Sequence, residues 1–466
     1  MARIEHVVVL MLENRSFDSM LGWLYPEHSD FDGLRGSESN PWHRQDGSVE
    51  RVPVWNDNSI SADAACIPNP DPGESFDDMT MQIFGLSTDG TPRMNGFVDN
   101  YMRQPAAEKP ADPRAVMHAF VPRQLPVLSL LARSFGVSDR WFASAPCETW
   151  PNRLFVHTGT GGGQANNAAL QRPLILPTVF QRLARHGRRW RVYFHDVPQT
   201  AALVSLWPYL PSCFRFFAPD FAVDAANGTL PHYSFIEPRY FPNQPLNRIP
   251  NDAHPPHNVA YAEQLLADVY NAVRGGPAWQ HTLLVVVFDE HGGCYDHVPP
   301  PAAIPAGLAA PNGFRFDRYG PRVPAVVVSP WLPAGSVIRP PANGPPFDHT
   351  SIIATLDRLF DLGAPLSPRV AAAPDLLAAL TLARPENGGP DRIDAAVTEP
   401  DREEMQAARG RSRNNYQRRL MWPGALMAAG AAHAAAHVHR AWHRTNTSPA
   451  AAGLDHNAGR RAAGRR

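Results

Sequence analysis

Two apolar segments, each followed directly by acidic residues, constrain the fold of this chain more than any other feature. Val7–Leu12 (VVVLML) contains no polar side chain, and Thr282–Phe288 (TLLVVVF) contains only its first threonine. Runs of this kind are typical of strands buried on both faces of a parallel sheet. Glu13 and Asp289 come next, and ligands of open α/β sheets bind in crevices at the carboxyl edge. The two segments therefore predict an α/β protein with a polar site at that edge.

Shorter apolar runs and helical periodicity alternate along the rest of the chain. The additional predicted strands are Arg191–Phe194, Tyr233–Ile236 and Val323–Ser329. Apolar side chains at helical spacing predict helices around Leu125–Ala132, Val259–Val269 and Ile352–Phe360. Strands that alternate with helices favour a mainly parallel sheet with helices on both faces, which is a three-layer α/β/α sandwich.

The composition excludes several classes of protein. The formal net charge of the 466 residues is −1, so no nucleic-acid partner is expected. The four cysteines include no C-x-x-C pair, which disfavours a structural zinc knuckle. Neither a leader-like segment before the first strand nor an apolar run of about 18 residues is present. We therefore expect a cytoplasmic protein, or one that is exported by a route without a signal peptide. The sequence does not indicate the oligomeric state.

The composition changes after about Asp401. Residues 401–466 contain twelve arginines against four acidic residues, and their centre is rich in alanine and histidine. We therefore divide the chain into a catalytic domain, residues 1–400, and a basic tail, residues 401–466. A disordered or loosely docked tail is the first expectation. Its charge is also compatible with peripheral contact to an anionic membrane surface.

The residues that follow the two apolar segments suggest a metal site. If the segments are parallel neighbours, then Glu13, Asn14, Asp289 and Glu290 converge at one edge of the sheet. Carboxylate and amide oxygens are hard ligands that suit Ca²⁺, Mg²⁺ or Mn²⁺, and Zn²⁺ also accepts carboxylates. The alternative is that each acid pairs with a local arginine such as Arg15.

A third informative stretch, ETWPNR, places Thr149 just before Asn152 and Arg153. A hydroxyl bound to a divalent metal can ionise near neutral pH and attack an electrophile. Asn152 and Arg153 are suited to bind phosphate oxygens. The alternative is that Thr149 is an ordinary helix cap. The chain has no G-x-S-x-G motif, which argues against a hydrolase triad of the α/β-hydrolase type.

Together, LMLENRSFD, ETWPNR and FDEHGGCYDHVPPP resemble a known family. It is the bacterial phosphoesterase family that contains phosphocholine-preferring phospholipases C and related acid phosphatases, within the alkaline-phosphatase-like superfamily. Further matching segments are MNGFVDNY, SFIEPRYF, NDAHPPHNV, GPRVPAVVVSPW and FDHTSI. The resemblance covers roughly residues 1–380 and implies an alkaline-phosphatase-like α/β/α sandwich.

The resemblance also implies roles for the residues of the three motifs. Glu13, Asn14, Asp289 and Glu290 would hold the metal ion. Thr149 would be the nucleophile and a fifth ligand. Asn152 and Arg153, in the same motif, would contact the substrate.

Three further residues follow from the same comparison. His254, in DAHPP, matches a family histidine near the phosphate, and His195, in YFHD, is a second match for a catalytic histidine. Glu74, in NPDPGESF, stands where the acid phosphatases of the family carry a histidine. We therefore expect Glu74 to face the substrate. The side of the site that binds the leaving group would then differ from that of the acid phosphatases.

The expected function is hydrolysis of phosphatidylcholine-like phospholipids by a metal-dependent phospholipase C, through a phospho-threonine intermediate. A broad-specificity acid phosphatase that acts on phosphomonoesters is the alternative. A third hypothesis is an inactive scaffold that docks on membranes through its basic tail. The sequence does not identify the metal ion.

Overall fold

The computed structural model describes residues 4–440 except 26–29, 106–109, 168–173, 396, 398, 412, 421–429, 435 and 438. The strands are β1 (His6–Leu12), β2 (Ser39–His43), β3 (Val49–Pro53), β4 (Gly136–Val137), β5 (Trp190–Phe194), β6 (Phe214–Phe216), β7 (Tyr233–Glu237), β8 (Thr282–Phe288), β9 (Ala325–Val328) and β10 (Ser336–Val337). Eight of them form one sheet in the order β10-β4-β9-β8-β1-β7-β5-β6, and β2 and β3 form a hairpin. All pairs in the large sheet are parallel except those that β9 makes with β8 and β4.

The α-helices lie between these strands or, for the last four, after β10. They are α1 (Phe17–Leu21), α2 (Phe76–Phe84), α3 (Phe97–Met102), α4 (Pro126–Ser134), α5 (Thr149–Thr158), α6 (Val179–Arg185), α7 (Leu210–Cys213), α8 (Ala222–Ala226), α9 (Val259–Gly275), α10 (Thr350–Phe360), α11 (Pro368–Ala372), α12 (Arg402–Gly410) and α13 (Asn415–Leu420). The helices predicted from apolar periodicity correspond to α4, α9 and α10.

The helices cover both faces of the sheet. On β5, the ring of Trp190 lies 4.7 Å from that of Phe180 in α6, whereas Tyr193 packs against Phe221, which precedes α8. Trp190 and Tyr193 are three positions apart on one strand, so their side chains point to opposite faces. Helix α6 packs on α5 and α5 on α10, while α8 packs on α9 and α9 on α4. The predicted three-layer α/β/α sandwich is therefore confirmed.

The direction of one predicted strand was not visible in the sequence. The run Val323–Ser329 forms β9, Ala325–Val328, which is antiparallel to both of its neighbours. Every residue of β9 and of β8 is buried. An apolar run indicates that a strand is buried on both faces, but it does not indicate the direction of the strand. The pattern alone could therefore not distinguish β9 from the parallel strands.

The described parts of the basic tail pack against the rest of the protein. Tyr416 of α13 is fully buried, and its ring lies 5.4 Å from that of Tyr240. Gln417 Nε2 donates to the carbonyl oxygen of Tyr240, and Glu404 of α12 accepts from the hydroxyl of Tyr261. The sequence suggested a loose tail because its basic composition dominates. The contacts depend on a few aromatic and amide side chains within it.

All four cysteines are free thiols. Among the described residues, no helix combines the length and the apolar character needed to cross a membrane.

Candidate active site

The register of β1 and β8 brings the acidic residues together. Leu12 lies opposite Phe288, so Glu13 and Asp289 leave adjacent strands at the same level of the sheet. Asp289 N–H donates to the carbonyl oxygen of Leu12 at 3.1 Å, and Glu13 N–H donates to that of Asp252 at 2.7 Å. Glu13 and Asp289 therefore meet at the carboxyl edge of the sheet, as the sequence predicted.

Asn14 is the centre of the acidic cluster. Its backbone N–H donates to Asp289 Oδ1 at 3.0 Å. Its side-chain amide donates to Glu290 Oε1 at 2.8 Å and to Glu74 Oε1 at 2.7 Å. Asn14 has a φ of 47°, a left-handed conformation that asparagine tolerates better than most residues. Glu74, which the sequence assigned to the substrate, thus lies beside the expected metal ligands.

The first of the two glycines after Glu290 allows this close approach. Gly292 has a φ of +62°, and a Cβ at that position would lie 2.0 Å from the carbonyl oxygen of Asn14. Glycine has no Cβ, so it alone avoids both the clash with Asn14 and the conformational cost of a positive φ at this position. Gly292 is therefore required by the cluster, whereas a Cβ at Gly293 would meet Pro72 and Gly73 instead.

Arg153 supports the cluster from α5. Its Nη2 donates to Glu13 Oε1 and to the carbonyl oxygen of Met11, and its Nε lies 3.4 Å from Asp289 Oδ2. Arg153, Glu13 and Asp289 are all fully buried. The guanidinium therefore orients the two carboxylates, and its contact with substrate stays a prediction.

The cluster holds more negative than positive charge. Burial raises the pKa of Glu13 well above its usual value, although Arg153 opposes the shift. Burial also raises the pKa of Glu290, and the nearby carboxylates of Glu74 and Asp289 raise it further. The ionised state of these groups therefore needs another cation nearby.

Thr149 is the first residue of α5 and lies against the same cluster. Its hydroxyl is 3.2 Å from Asn14 Oδ1 and 3.4 Å from Glu13 Oε2. The N-terminus of this ten-residue helix is the positive end of its dipole, which favours an anion, although Pro151 has no N–H to donate. The adjacent Trp150 N–H is already bonded to Asn167 Oδ1 at 2.7 Å.

Asn152 holds the loop that precedes α5. Its amide nitrogen donates to the carbonyl oxygens of Ala145 and Cys147, and its Oδ1 accepts from the N–H of Ala145 at 3.1 Å. These bonds fix the loop that presents Thr149. A direct contact between Asn152 and substrate stays a prediction.

The two predicted catalytic histidines have different surroundings. His254 is buried, its Nδ1 lies 2.7 Å from the carbonyl oxygen of Pro255, and its Nε2 lies 3.4 Å from Glu74 Oε1. Burial lowers the pKa of His254, but the carboxylates of Glu74 and Asp71 outweigh it and hold the pKa well above its usual value. His254 therefore lies beside the cluster in its protonated form.

His195 follows β5, on the other side of β7 from β1. Its Nδ1 lies 2.9 Å from the carbonyl oxygen of Glu237, and its ring stacks on Phe217 at 4.5 Å. Burial lowers the pKa of His195 to about 3, so the ring is neutral near pH 7. Among the described residues, His195 makes no hydrogen bond or ion pair with the acidic cluster, and its catalytic role stays a prediction.

Three residues at the cluster were not found from the sequence. Gln199 Nε2 donates to Glu13 Oε1 at 3.1 Å and to the hydroxyl of Tyr240 at 2.6 Å. Tyr240 in turn packs on Tyr416 of the basic tail. Tyr240 lies in the SFIEPRYF segment that marked the family, but Gln199 and Tyr416 carry no motif signal.

The donor set fits a divalent cation. Asn14 and Thr149 link the side chains of Glu13, Asp289 and Glu290, and the five residues offer carboxylate, amide and hydroxyl oxygens, which are hard ligands. Among the described residues, Asp289 Oδ2 is buried without a hydrogen-bond partner, as is Glu74 Oε2. Unpartnered buried carboxylate oxygens together with spare negative charge are what a metal ion would compensate.

A second group of potential ligand atoms adjoins the first. Oxygen or nitrogen atoms of Asp71, Glu74 and His254 all lie within 4.8 Å of one another. Because Glu74 also contacts Asn14, the two groups form one polar region. The chemistry of the donor set does not distinguish among Ca²⁺, Mg²⁺, Mn²⁺ and Zn²⁺.

Comparison with known proteins identifies the family of this chain. The Phosphoesterase family model matches residues 4–363. Non-specific phospholipase C1 of Arabidopsis thaliana is 40% identical over 373 residues, which cover 77% of this chain and 67% of that protein. Non-specific phospholipase C3 of the same plant is 38% identical and covers 85% of this chain and 76% of that protein.

A bacterial relative is more distant. Non-hemolytic phospholipase C of Pseudomonas aeruginosa is 27% identical over 453 residues, which cover 82% of this chain and 58% of that protein. The expected resemblance is thus confirmed, and the plant relatives are more similar to this chain than this bacterial one. With the acidic cluster, Thr149 and the family match in agreement, the chain belongs to the Phosphoesterase family.

Proposed function

We propose that this phosphoesterase is a metal-dependent phospholipase C that hydrolyses phosphatidylcholine-like phospholipids with Thr149 as nucleophile. The observation that carries the proposal is the position of the Thr149 hydroxyl, 3.2 Å from Asn14 Oδ1 and 3.4 Å from Glu13 Oε2, at the N-terminus of α5. Relatives named as phospholipases C, at 38–40% identity, support the reaction class.

In the first half of the reaction the Thr149 oxygen attacks phosphorus and the bond to the diacylglycerol oxygen breaks. The proton of Thr149 passes to Glu13 Oε2, the nearer carboxylate oxygen that accepts from it. His254, protonated and beside the cluster, supplies a proton to the departing alkoxide. The products of this half are diacylglycerol and Thr149 esterified to the phosphorylated head group.

In the second half, a water molecule gives a proton to His254 and its oxygen attacks the phosphorus, so that the bond to Thr149 breaks. Glu13 returns its proton to the Thr149 oxygen, which restores the hydroxyl, and the phosphorylated head group leaves. A bound divalent cation would lower the pKa of the Thr149 hydroxyl and neutralise charge on the phosphoryl oxygens. The residues that would hold it are Glu13, Asn14, Asp289 and Glu290.

The rest of the site keeps these groups in place. Arg153 and Gln199 both donate to Glu13 Oε1, which leaves Oε2 directed to Thr149. The positive end of the α5 dipole favours the negative charge that develops on the phosphoryl oxygens. A rigid strand end and a helix start therefore fix the nucleophile and the ligands relative to each other.

The test compares hydrolysis of p-nitrophenyl-phosphorylcholine with that of p-nitrophenyl phosphate, with and without chelator. We expect wild type to prefer the choline diester and to lose activity with chelator. We expect Thr149→Ala to lose more than about 10³-fold, as for the removal of other catalytic nucleophiles.

Thr158→Ala is the matched control, because Thr158 lies at the other end of α5 and its hydroxyl bonds to the carbonyl oxygen of Leu154. Activity that survives Thr149→Ala would exclude the mechanism. Preference for the monoester would identify an acid phosphatase. A metal-free protein active on neither substrate would identify an inactive scaffold.

A further inference from the structure

A basic cleft lies on the face of the sheet that carries α8, at the free edge formed by β5 and β6. Its volume is about 620 Å³. The charged residues that line it are Arg189, Arg191, Arg215, Arg440, His439, Asp220 and Asp224. The acidic cluster, in contrast, lies beyond the carboxyl ends of β1 and β8, with β7 between β1 and β5. The cleft is therefore separate from the candidate active site.

The two aspartates of the cleft are already paired. Asp224 Oδ2 accepts from Arg191 Nη1 and from the Tyr193 hydroxyl, the latter at 2.6 Å. Asp220 Oδ1 lies 3.4 Å from Arg440 Nε. Two of the four arginines are thus neutralised within the cleft.

The other two arginines have no such partner. Within the part of the chain that the structure describes, no carboxylate oxygen lies within 4.0 Å of Arg189 or Arg215. The Nη atoms of Arg215 donate to the carbonyl oxygens of Pro211, Ser212 and Phe214, which carry no net charge.

The burial of Arg215 is a second indication that the cleft binds an anion. It is 4% exposed, and its Nε has no hydrogen-bond partner among the described residues. Burial lowers the pKa of Arg215, and the positive charge of Arg191 lowers it further. A buried guanidinium with an unused donor, close to other cations, is unfavourable unless an anion compensates it.

Arg440 connects the cleft to the basic tail. It donates to the carbonyl oxygen of Ala218, and its guanidinium lies 4.5 Å from the ring centre of Phe216. The wall of the cleft on that side is therefore built by the tail, in agreement with the packing of α13 elsewhere. The cleft is therefore complete only when this part of the tail is packed against the sheet.

We propose that this cleft is a second, non-catalytic site that binds a phosphate monoester, either free or as the head group of an anionic phospholipid. The planar guanidinium offers paired donors that match phosphate oxygens. A dianionic phosphate would balance Arg189 and Arg215, the two cations without carboxylate partners. The inference does not depend on the reaction proposed for Thr149.

The test measures binding of inorganic phosphate to the full chain by calorimetry in wild type and Arg189→Ala/Arg440→Ala. Phosphate bound at the acidic cluster is common to both proteins, so the difference reports the cleft. We expect the double variant to bind about tenfold more weakly or worse, the usual effect of losing bonds to a charged group. Arg189→Ala alone, at an exposed position, repeats the test if the double variant does not fold.

Arg384→Ala is the control, because Arg384 is exposed and lies outside the cleft. A second arm sediments the proteins, all in a Thr149→Ala background, with vesicles of phosphatidylcholine with or without phosphatidic acid. Binding that needs phosphatidic acid and Arg189 identifies a lipid head group as the ligand. Phosphate binding without vesicle binding identifies a soluble ester. Equal binding of phosphate by wild type and the double variant would overturn the proposal.

Discussion

Two buried clusters of acidic side chains differ in the cations that accompany them. In the first, Glu13, Asp289 and Glu290 surround Asn14, and Arg153 is the arginine that contacts them. Arg153 and His254 face four carboxylates there, since Glu74 also adjoins the cluster, and burial raises the pKa of Glu13, Asp289 and Glu290. The first cluster is therefore poor in positive charge.

The second cluster lies around α1. It joins three aspartates to three cationic side chains, namely Asp18, Asp32, Asp296, Arg140, Arg322 and His297. Arg322 donates to Asp18 and Asp296 at 3.0 and 2.9 Å. Burial lowers the pKa of His297, but the hydrogen bonds that its ring donates to the carboxylates of Asp18 and Asp32 outweigh it and raise the pKa to about 10, so the ring is protonated at neutral pH.

The comparison shows that a group of carboxylates is not in itself a metal site. Atoms of Asp18, Asp296 and His297 are near enough to one another to share an ion, as are those of Asp71, Glu74 and His254. The cations of the second cluster already satisfy its acids. In the first, one buried oxygen each of Glu74 and Asp289 lacks a hydrogen-bond partner among the described residues. A divalent cation is therefore expected in the first cluster.

The largest expected effect comes from removal of two acids of the first cluster. Asp289→Asn with Glu290→Gln should lower hydrolysis of p-nitrophenyl-phosphorylcholine by about 10⁴-fold or more, because the cation loses two charged ligands. Thermal unfolding should change little or move upward, since like charges are removed. Retained activity would show that these acids are not ligands.

Removal of the central cation of the second cluster should act on stability. Arg322→Met leaves buried Asp18 and Asp296 without their main partner and should lower the free energy of unfolding by about 3–5 kcal/mol. Chemical denaturation measures this change. Arg384→Met, on the surface, should have no effect. A loss below about 1 kcal/mol would show that the second cluster does not depend on Arg322.

A smaller effect is expected at the glycine beside Asn14. Gly292→Ala should cost about 1–3 kcal/mol, because its φ is +62° and its Cβ would meet the Asn14 carbonyl oxygen. It should also weaken metal binding. Gly47→Ala is the control, since Gly47 has a φ of +85° but nothing within 4 Å of its Cβ. Equal losses in the two variants would mean that backbone strain alone, and not the approach to Asn14, matters.

The smallest effect concerns pH. The folded pKa of His297, about 10, lies above its ordinary value of 6.5. Its stabilising contribution is therefore complete below about pH 6.5 and is lost as the pH rises to about 10. The difference in unfolding free energy between wild type and His297→Gln should shrink over this range. A difference independent of pH would mean that His297 is not charged in the fold.

The comparison also shows what could be predicted from the sequence. The apolar runs before Glu13 and Asp289 located the sheet and its polar edge, because buried parallel strands and their exits follow from local patterns. The direction of β9 was not predictable, since burial gives the same apolar run for either direction. The assembly of the second cluster was not predicted, because the pairing of Arg322 with Asp18 spans 304 positions.

The contacts of Gln199 and Tyr416 were missed for a similar reason. Gln199 reaches Glu13 across 186 positions, and no motif marks it. Tyr416 lies in a segment whose composition is dominated by arginine, which suggests exposure, whereas its ring is fully buried beside Tyr240. Composition averages over a segment, and these contacts depend on single side chains.

The most direct test of the account is the metal content of purified protein in three forms: wild type, Asp289→Asn/Glu290→Gln, and His297→Gln. Elemental analysis after dialysis against each of Ca²⁺, Mg²⁺, Mn²⁺ and Zn²⁺ gives the bound equivalents. The account predicts that wild type and His297→Gln retain a bound ion and that the double variant loses it. Metal that persists in the double variant and disappears in His297→Gln would place the ion in the second cluster and contradict the account.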